Sequence, residues 1–134
     1  MQKRESEPVV QMSEKRILIV DDSNTIRRSA EIFLKQAGYD VLLAEDGFDA
    51  LAKVHDYKPD LIFCDILMPR LDGYQTCAII KRNKAFGSVP IVMLSSKDSV
   101  FDIARGRMVG ANDYITKPFT KAQLVDVVRK FLAG

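Results

Sequence analysis

The sequence has few cysteines and no long apolar run. Its two cysteines, Cys64 and Cys77, lack CxxC spacing, which favours small reduced core residues over a disulfide framework. The first 15 residues hold no apolar run longer than two, so they do not form the apolar region of a secretory signal peptide. No window approaches the ~20 consecutive apolar residues of a membrane-spanning helix. We therefore expect a cytoplasmic protein that does not insert into membranes.

The sequence also has little excess charge of either sign. Lys and Arg number 20 against 18 Asp and Glu, a formal charge of +2 without a basic block, so we expect no nucleic-acid partner. Hydrophobic residues at 47% and charged residues at 28% exclude a disordered polyelectrolyte. The length of 134 residues fits one domain, which we place at residues 16–134, after a flexible tail at 1–15.

Short apolar runs alternate with helical patterns from Arg16 onward. The runs lack polar alternation, as is typical of parallel strands covered on both faces, and occupy residues 17–20, 41–44, 61–64, 91–94 and, more weakly, 114–116. Helical spacing of apolar residues occurs at 26–37, 50–54, 74–81, 100–108 and 124–131. Right-handed crossovers between five such pairs predict an α/β fold, a doubly wound five-stranded parallel sheet of (βα)5 order.

Polar side chains stand at the carboxyl ends of four predicted strands, where open parallel sheets bind ligands. They are three carboxylates, two hydroxyls and one ammonium: Asp21, Asp22, Asp65, Ser95, Ser96 and Lys117. Carboxylates crowded at one edge raise one another's pKa unless a cation lies among them. Oxygen ligands that leave room for water suit Mg2+ better than Zn2+, so the pattern predicts a magnesium site. The single histidine, His55, is expected far from this edge.

These polar residues also have purely structural interpretations. Residues 21–23 precede a helical segment and are good N-cap residues, and Ser95 is suited to cap the helix that follows it. A lysine such as Lys117 is most often solvated. Asp65 is harder to explain in this way, because it follows a buried strand and no capping pattern comes after it. The occurrence of such polar residues together at the ends of four strands favours a functional site.

A carboxylate beside Mg2+ and a lysine can attack a phosphoryl group, since the cations neutralise charge on the transferring oxygens. Asp65 stands alone after the third strand, whereas Asp21 and Asp22 form a pair suited to hold a metal. Asp65 is therefore the predicted nucleophile, and an aspartyl phosphate the product. The bond between Lys117 and Pro118 is a candidate cis peptide bond, which would turn the lysine back over the edge.

With these residues, the chain from position 16 to 134 resembles the CheY-like receiver domain of the two-component response regulators. Asp65, in the stretch Asp-Ile-Leu-Met-Pro, resembles the phosphoacceptor of that family. Asp21 and Asp22 resemble its acidic pair, which implies Mg2+ held by Asp21, Asp22 and Asp65. The resemblance also implies a flavodoxin-like sheet with the strand order 2-1-3-4-5.

Three more positions resemble the part of a receiver that responds to phosphorylation. Ser95 resembles the switch hydroxyl, where threonine is more frequent, and Tyr114 falls where the family keeps an aromatic switch residue. Lys117, Pro118 and Phe119 resemble the Lys-Pro-Phe turn, whose lysine pairs with the phosphoryl oxygens. The resemblance implies that Ser95 moves toward the phosphoryl group and that Tyr114 turns inward.

Other segments narrow the resemblance and mark departures from it. Residues 46–53, 69–78 and 93–98 are similar to the stand-alone, PilG-type receivers of the twitching-motility (type IV pilus) chemosensory system. Leu67 and Lys97 stand two residues after Asp65 and Ser95, at positions that in the family influence the access of water to the acyl phosphate. We expect both to tune the rate of dephosphorylation.

The resemblance implies a signalling protein and not an enzyme, although it assists its own phosphoryl transfer and dephosphorylation. We expect Asp65 to accept a phosphoryl group from a CheA-like sensor histidine kinase. The signal would pass by protein contact to a downstream motility or pilus protein, in twitching motility or chemotaxis. A monomer is expected, and dimerisation on phosphorylation stays open.

Three other functions compete with this interpretation. A phosphorylation-independent interaction module of the same fold would not need the acids and the lysine, all of which are present. A phosphohydrolase with an aspartate nucleophile carries a second acid two residues later in the families that it resembles, where this sequence has Leu67. A flavodoxin-like FMN carrier offers hydroxyls and amides where Asp21 and Asp22 would repel a phosphate.

Overall fold

The computed structural model describes residues 14–96 and 100–132. The strands in these ranges are β1 (Arg16–Val20), β2 (Asp40–Ala44), β3 (Leu61–Asp65), β4 (Ile91–Ser95) and β5 (Asp113–Thr116). The helices are α1 (Asn24–Gln36), α2 (Gly47–Tyr57), α3 (Gly73–Arg82), α4 (Val100–Met108) and α5 (Lys121–Leu132). Within this part of the chain, no helix has the length and apolar content needed to span a membrane. The predicted tail lies outside it except for residues 14–15.

The five strands of the described chain form one parallel sheet in the order β2-β1-β3-β4-β5. This confirms the predicted doubly wound α/β fold and the strand order 2-1-3-4-5. Two strands run one residue further than predicted, because the ladder continues: the N–H of Ile66 donates to Leu94, and that of Lys117 to Ser95. Asp65 and Ser95 are therefore the last residues of β3 and β4.

The three central strands of the sheet are buried on both faces, and the strand residues alternate between two apolar clusters. On one face, α2 and α3 cover a cluster that contains Leu18, Val20, Ala50, Val54, Ile62, Cys64, Cys77, Ile80 and Met93. On the other, α1 and α5 cover a cluster that contains Ile17, Ile19, Ala30, Leu34, Leu61, Phe63, Val92, Leu94, Leu124 and Val128. Continuous apolar runs are required in the central strands because neither of their faces meets water.

The fourth helix is the least buried of the five in the described chain. Of the described side chains of α4, only Gly106 is buried, and Met108 is 86% exposed. Of the apolar residues whose spacing predicts this helix, Ala104 and Met108 are exposed and Ile103 is half-buried, so the spacing predicts the helix correctly but not which of its residues pack. This helix packs mainly against β5, at the edge of the sheet, where less apolar surface is available to cover it.

Cys64 and Cys77 are free thiols in the buried core, as the sequence indicates. Burial raises the pKa of the Cys77 thiol to about 11 and that of Cys64 well above its usual range. The reactive thiolate is therefore scarce at pH 8. We expect the folded protein to react with a thiol reagent at least about a hundredfold more slowly than the unfolded chain. With a reagent that releases a chromophore on reaction with a thiol, absorbance measures the rate of labelling. Fast labelling of the native protein would contradict this expectation.

Candidate functional site

The loop after β1 presents two carboxylates at the carboxyl edge of the sheet. Asp21 is fully buried, and its N–H donates to the carbonyl of Ala44 at 3.1 Å. Its Oδ1 accepts from the N–H of Ser23 at 2.9 Å, while the exposed Asp22 lies on the solvent side. Ser23 is the N-cap of α1 and accepts from the N–H of Ile26. Since Ser23 caps the helix, the two aspartates are not needed for that purpose.

A lysine joins this loop to the end of β3. The Nζ of Lys117 lies 3.1 Å from Oδ2 of Asp21 and 3.0 Å from Oδ1 of Asp65. The Asp65 residue is 3% exposed and the Lys117 side chain 15%, so the lysine is not solvated as an ordinary surface lysine would be. Lys117 follows β5 directly and is joined to Pro118 by a cis peptide bond. Three strand ends thus contribute to one ionic cluster.

The pKa values of these groups show the balance of burial and charge. Burial raises the pKa of Asp65 to about 6; the hydrogen bond from Lys117 opposes this, and the charge of Asp21 adds to it. Burial would by itself lower the pKa of Lys117, but Asp65 and Asp21 outweigh it and raise that pKa above its ordinary value. The lysine is therefore a permanent cation, and it does not fully neutralise the carboxylates around it.

The three aspartates have the geometry of a site for a hard cation. One carboxylate oxygen from each of Asp21, Asp22 and Asp65 lies within 4.8 Å of the others. Two of these side chains are buried and Asp22 is exposed, so water and further oxygen ligands have access from one side. Three carboxylates beside one ammonium leave excess negative charge, which a divalent cation would neutralise. Small, open oxygen-ligand sets of this kind fit Mg2+.

A cavity of about 110 Å3 opens beside Asp65. Its lining residues are Asp65, Ile66, Leu67, Ser95, Ser96 and Asp102. Ser95 is 3% exposed at the end of β4, and α4 begins only at Val100, so Ser95 is not the N-cap of that helix. Leu67, in contrast, is 69% exposed at the rim. The structure therefore brings the predicted hydroxyl and the predicted acid to one cavity.

One predicted residue, Tyr114, does not line this cavity. Tyr114 is half-buried in β5 and lines a separate groove of about 200 Å3 beside α4, which also includes Ile103 and Arg107. Lys97 lies outside the described residues. His55 is 74% exposed in the last turn of α2, beside Asp56, and does not line the cavity.

Sequence reasoning overlooked two residues at this site. Asp102 lines the cavity from the first turn of α4, where an acidic residue is common in any helix, so nothing in the pattern distinguishes it. Gly73 begins α3, and a Cβ added there would lie 2.1 Å from the carbonyl oxygen of Asp65. The Asp-Gly dipeptide at 72–73 reveals a turn but not this close approach.

A family model and a curated relative both match most of the chain. Residues 17–129 match the response regulator receiver domain family. Over 114 residues, 85% of this chain and 84% of the relative, the chain is 59% identical to the protein PilG of Pseudomonas aeruginosa. This confirms the resemblance to PilG-type receivers.

Solved structures show the same fold. The chemotaxis protein CheY4 of Vibrio cholerae matches 88% of this chain and 98% of its own, at 32% identity and a TM-score of 0.85. The receiver domain of the sensor histidine kinase PA1611 of Pseudomonas aeruginosa matches 90% of this chain and 99% of its own, at 30% identity and a TM-score of 0.83. That structure has a magnesium ion coordinated in its active site cleft. The chain therefore belongs to the family of response regulator receiver domains.

Proposed function

We propose that this PilG-like receiver accepts a phosphoryl group on Asp65 from a CheA-like histidine kinase. Receiver domains are signalling proteins that accept phosphate from histidine kinases. The observation that carries the proposal is the placement of Lys117, whose ammonium lies within 3.1 Å of two buried carboxylates, Asp21 and Asp65. A lysine that only forms a structural ion pair needs a single acidic partner. A second acidic partner and an adjoining cavity are expected instead where the protein binds a charged group.

The transfer uses groups that the fold already holds in place. A carboxylate oxygen of Asp65 attacks phosphorus, and the bond from phosphorus to the kinase histidine nitrogen breaks. The electron pair of that bond stays on the imidazole, so the histidine returns to its free form. The Nζ of Lys117 is 3.0 Å from Oδ1 of Asp65 and pairs with a phosphoryl oxygen as it arrives. When bound by Asp21, Asp22 and Asp65, Mg2+ supplies neutralising charge to the phosphoryl oxygens.

The new charge of roughly −2 alters the edge of the sheet around the cavity. Ser95 lines the cavity and is the residue whose hydroxyl would turn toward the phosphoryl group. Tyr114 pairs with Met93 across β4 and β5, two residues before Ser95, and would turn inward as the hydroxyl moves. The surface formed by α4 and β5 then changes shape, and Leu67 and Lys97 set the access of water to the acyl phosphate.

A downstream partner would bind differently to the changed surface of α4 and β5. The identity with PilG supports a downstream partner in a pilus or chemotaxis pathway, reached by protein contact. A receiver that meets a histidine kinase and keeps two reduced thiols belongs in the cytoplasm. The unphosphorylated domain would act as a monomer.

Intact-protein mass spectrometry tests the proposal. Incubation with a small acyl phosphate donor and Mg2+ should add about 80 Da, one phosphoryl group, and a chelator should prevent the addition. Short time points detect a labile adduct. No addition at any time, in a protein that still binds Mg2+, would replace this proposal with a phosphorylation-independent interaction module.

The metal site gives a separate prediction. Asp22→Asn should weaken Mg2+ binding at least about tenfold, because it removes a charged ligand while Ser23 keeps the cap of α1. Asp56→Asn, at a side chain that is 92% exposed beside His55, is the charge-matched control and should bind like the wild type. Amide chemical shifts during a Mg2+ titration measure both. Equal affinities for the two variants would contradict the assignment of Asp22.

A further inference from the structure

A tyrosine links the third and fourth helices next to the cavity. Tyr74 lies in the first turn of α3 and is 5% exposed. Its hydroxyl donates to the backbone carbonyl of Asp102 at 3.3 Å and lies 3.5 Å from Oδ1 of the same residue. The guanidinium carbon of Arg105 stands 4.5 Å from the centre of the tyrosine ring. Because Asp102 and Arg105 are three residues apart, both lie on the helix face turned to Tyr74.

This contact matters because the described side chains of α4, those of residues 102–108, are mostly half-buried or exposed. Gly106 is the only buried residue among its described side chains, and Met108 is 86% exposed. Gly106 itself has Met93 and Ala111 as neighbours, at the far end of the helix from Asp102. Among the described side chains of this helix, those of Asp102 and Arg105 both contact Tyr74.

The other end of the link is fixed to the phosphoacceptor strand. Gly73, beside Tyr74, packs against the carbonyl of Asp65, and its N–H donates to Ile66 at 2.8 Å. Asp102 lines the cavity together with Asp65. The tyrosine therefore connects the first turn of α4 to the segment that packs against the end of β3. Burial raises the pKa of Tyr74, and Asp102 adds to this, so the hydroxyl keeps the proton that it donates.

We propose that Tyr74 is a positioning residue that holds the first turn of α4 over the cavity and thereby lengthens the life of the phosphoryl group on Asp65. The inference rests on the proposed function. In hydrolysis, a water oxygen attacks phosphorus and the bond from phosphorus to the Asp65 oxygen breaks. Phosphate leaves with one proton of the water, the other goes to solvent, and the carboxylate is restored. A first turn of α4 held close to the cavity limits the water that reaches this bond.

Tyr74→Phe tests this with little change to the core, because the ring and its contact with Arg105 remain. After removal of the donor, intact mass should show loss of the phosphoryl group about threefold faster than in the wild type, as expected for one lost hydrogen bond. In the unphosphorylated protein, amide hydrogen exchange at residues 103–106 should also be faster. Binding of Mg2+ should be unchanged, since the Tyr74 hydroxyl bonds to Asp102 and not to the three aspartates that would hold the metal.

Tyr57→Phe is the matched control. The Tyr57 hydroxyl donates to Oδ2 of Asp40 at 2.8 Å, a tyrosine–carboxylate bond at the other edge of the sheet. Its loss should change neither the phosphoryl lifetime nor exchange in α4. Arg105→Ala, at an exposed position, is a second variant and should act in the same direction as Tyr74→Phe.

The outcomes separate this inference from the proposed function. A wild-type protein that never gains a phosphoryl group overturns both. A phosphorylated wild type whose Tyr74→Phe and Arg105→Ala variants decay at the wild-type rate overturns the role of Tyr74 alone. Faster decay without a change of exchange in α4, or the same effect in Tyr57→Phe, also overturns it.

Discussion

Asp65→Ala is expected to take up no phosphoryl group from an acyl phosphate donor, whereas the wild type gains about 80 Da in Mg2+. The reason is geometric. Asp65 is the only one of the three aspartates that lines the cavity and also contacts Lys117. Asp21 contacts the same lysine but is fully buried behind it, and its other oxygen accepts from Ser23. Intact mass over a time course is the measurement.

A charge-matched control keeps the result specific. Asp113→Ala removes an aspartate at the start of β5, where it pairs with Lys130 at 2.9 Å. This variant should be phosphorylated like the wild type. Asp65→Asn, which keeps the shape of the side chain, should behave as Asp65→Ala does. An adduct of full size in both Asp65 variants would move the phosphoacceptor to another residue and refute the assignment.

Gly73→Ala should lower the free energy of unfolding by about 3 kcal/mol, the upper part of the usual range for overpacking. The added Cβ would lie 2.1 Å from the carbonyl oxygen of Asp65 and 2.8 Å from the Cα of Ile66. Both are backbone atoms, so the end of β3 or the start of α3 must move. The folded fraction should also be phosphorylated more slowly, because Asp65 is displaced from Lys117.

Gly106→Ala is the matched control for this prediction. Gly106 is also buried in a helix, but an added Cβ would have its nearest neighbours, in Ala111 and Met93, at 3.7 Å, an ordinary contact distance. Alanine should stabilise the helix by up to about 1 kcal/mol, since glycine costs backbone entropy there. Urea denaturation of both variants gives the comparison. Equal destabilisation of the two would show that close approach at Gly73 is not the cause.

Most of the fold could be predicted from the sequence because the features that produce it are local or repeat along the chain. A parallel strand covered on both faces must be apolar at every position, so runs such as residues 17–20 and 61–64 are conspicuous. The placement of Asp65 after such a run also follows from the pattern, since parallel strands bring their carboxyl ends to one edge. The strand order came from the family resemblance, and the parallel ladders of the structure confirm it.

The face of α4 that packs was not accessible in the same way. Ala104 and Met108 have the spacing of core positions, yet both are exposed, because the helix lies at the sheet edge. Periodicity describes the helix alone, whereas burial depends on how much partner surface the sheet offers.

The cap of α1 was also left open by the sequence and decided by the structure. Which residue of 21–23 caps α1 was ambiguous in sequence, and the structure selects Ser23, leaving Asp21 and Asp22 as carboxylates of the site.

The sequence by itself determined the alternating strands and helices, the apolar core and the carboxylates at the strand ends. Each of these features follows from the spacing and type of residues that are close in sequence. Only the tertiary structure decided which of these groups meet. Lys117 reaches Asp21 across 96 positions of sequence and Asp65 across 52, and Tyr74 reaches Asp102 across 28. Such contacts depend on the order of the strands and the placement of the helices, which result from packing along the whole chain. No local sequence pattern therefore predicts them.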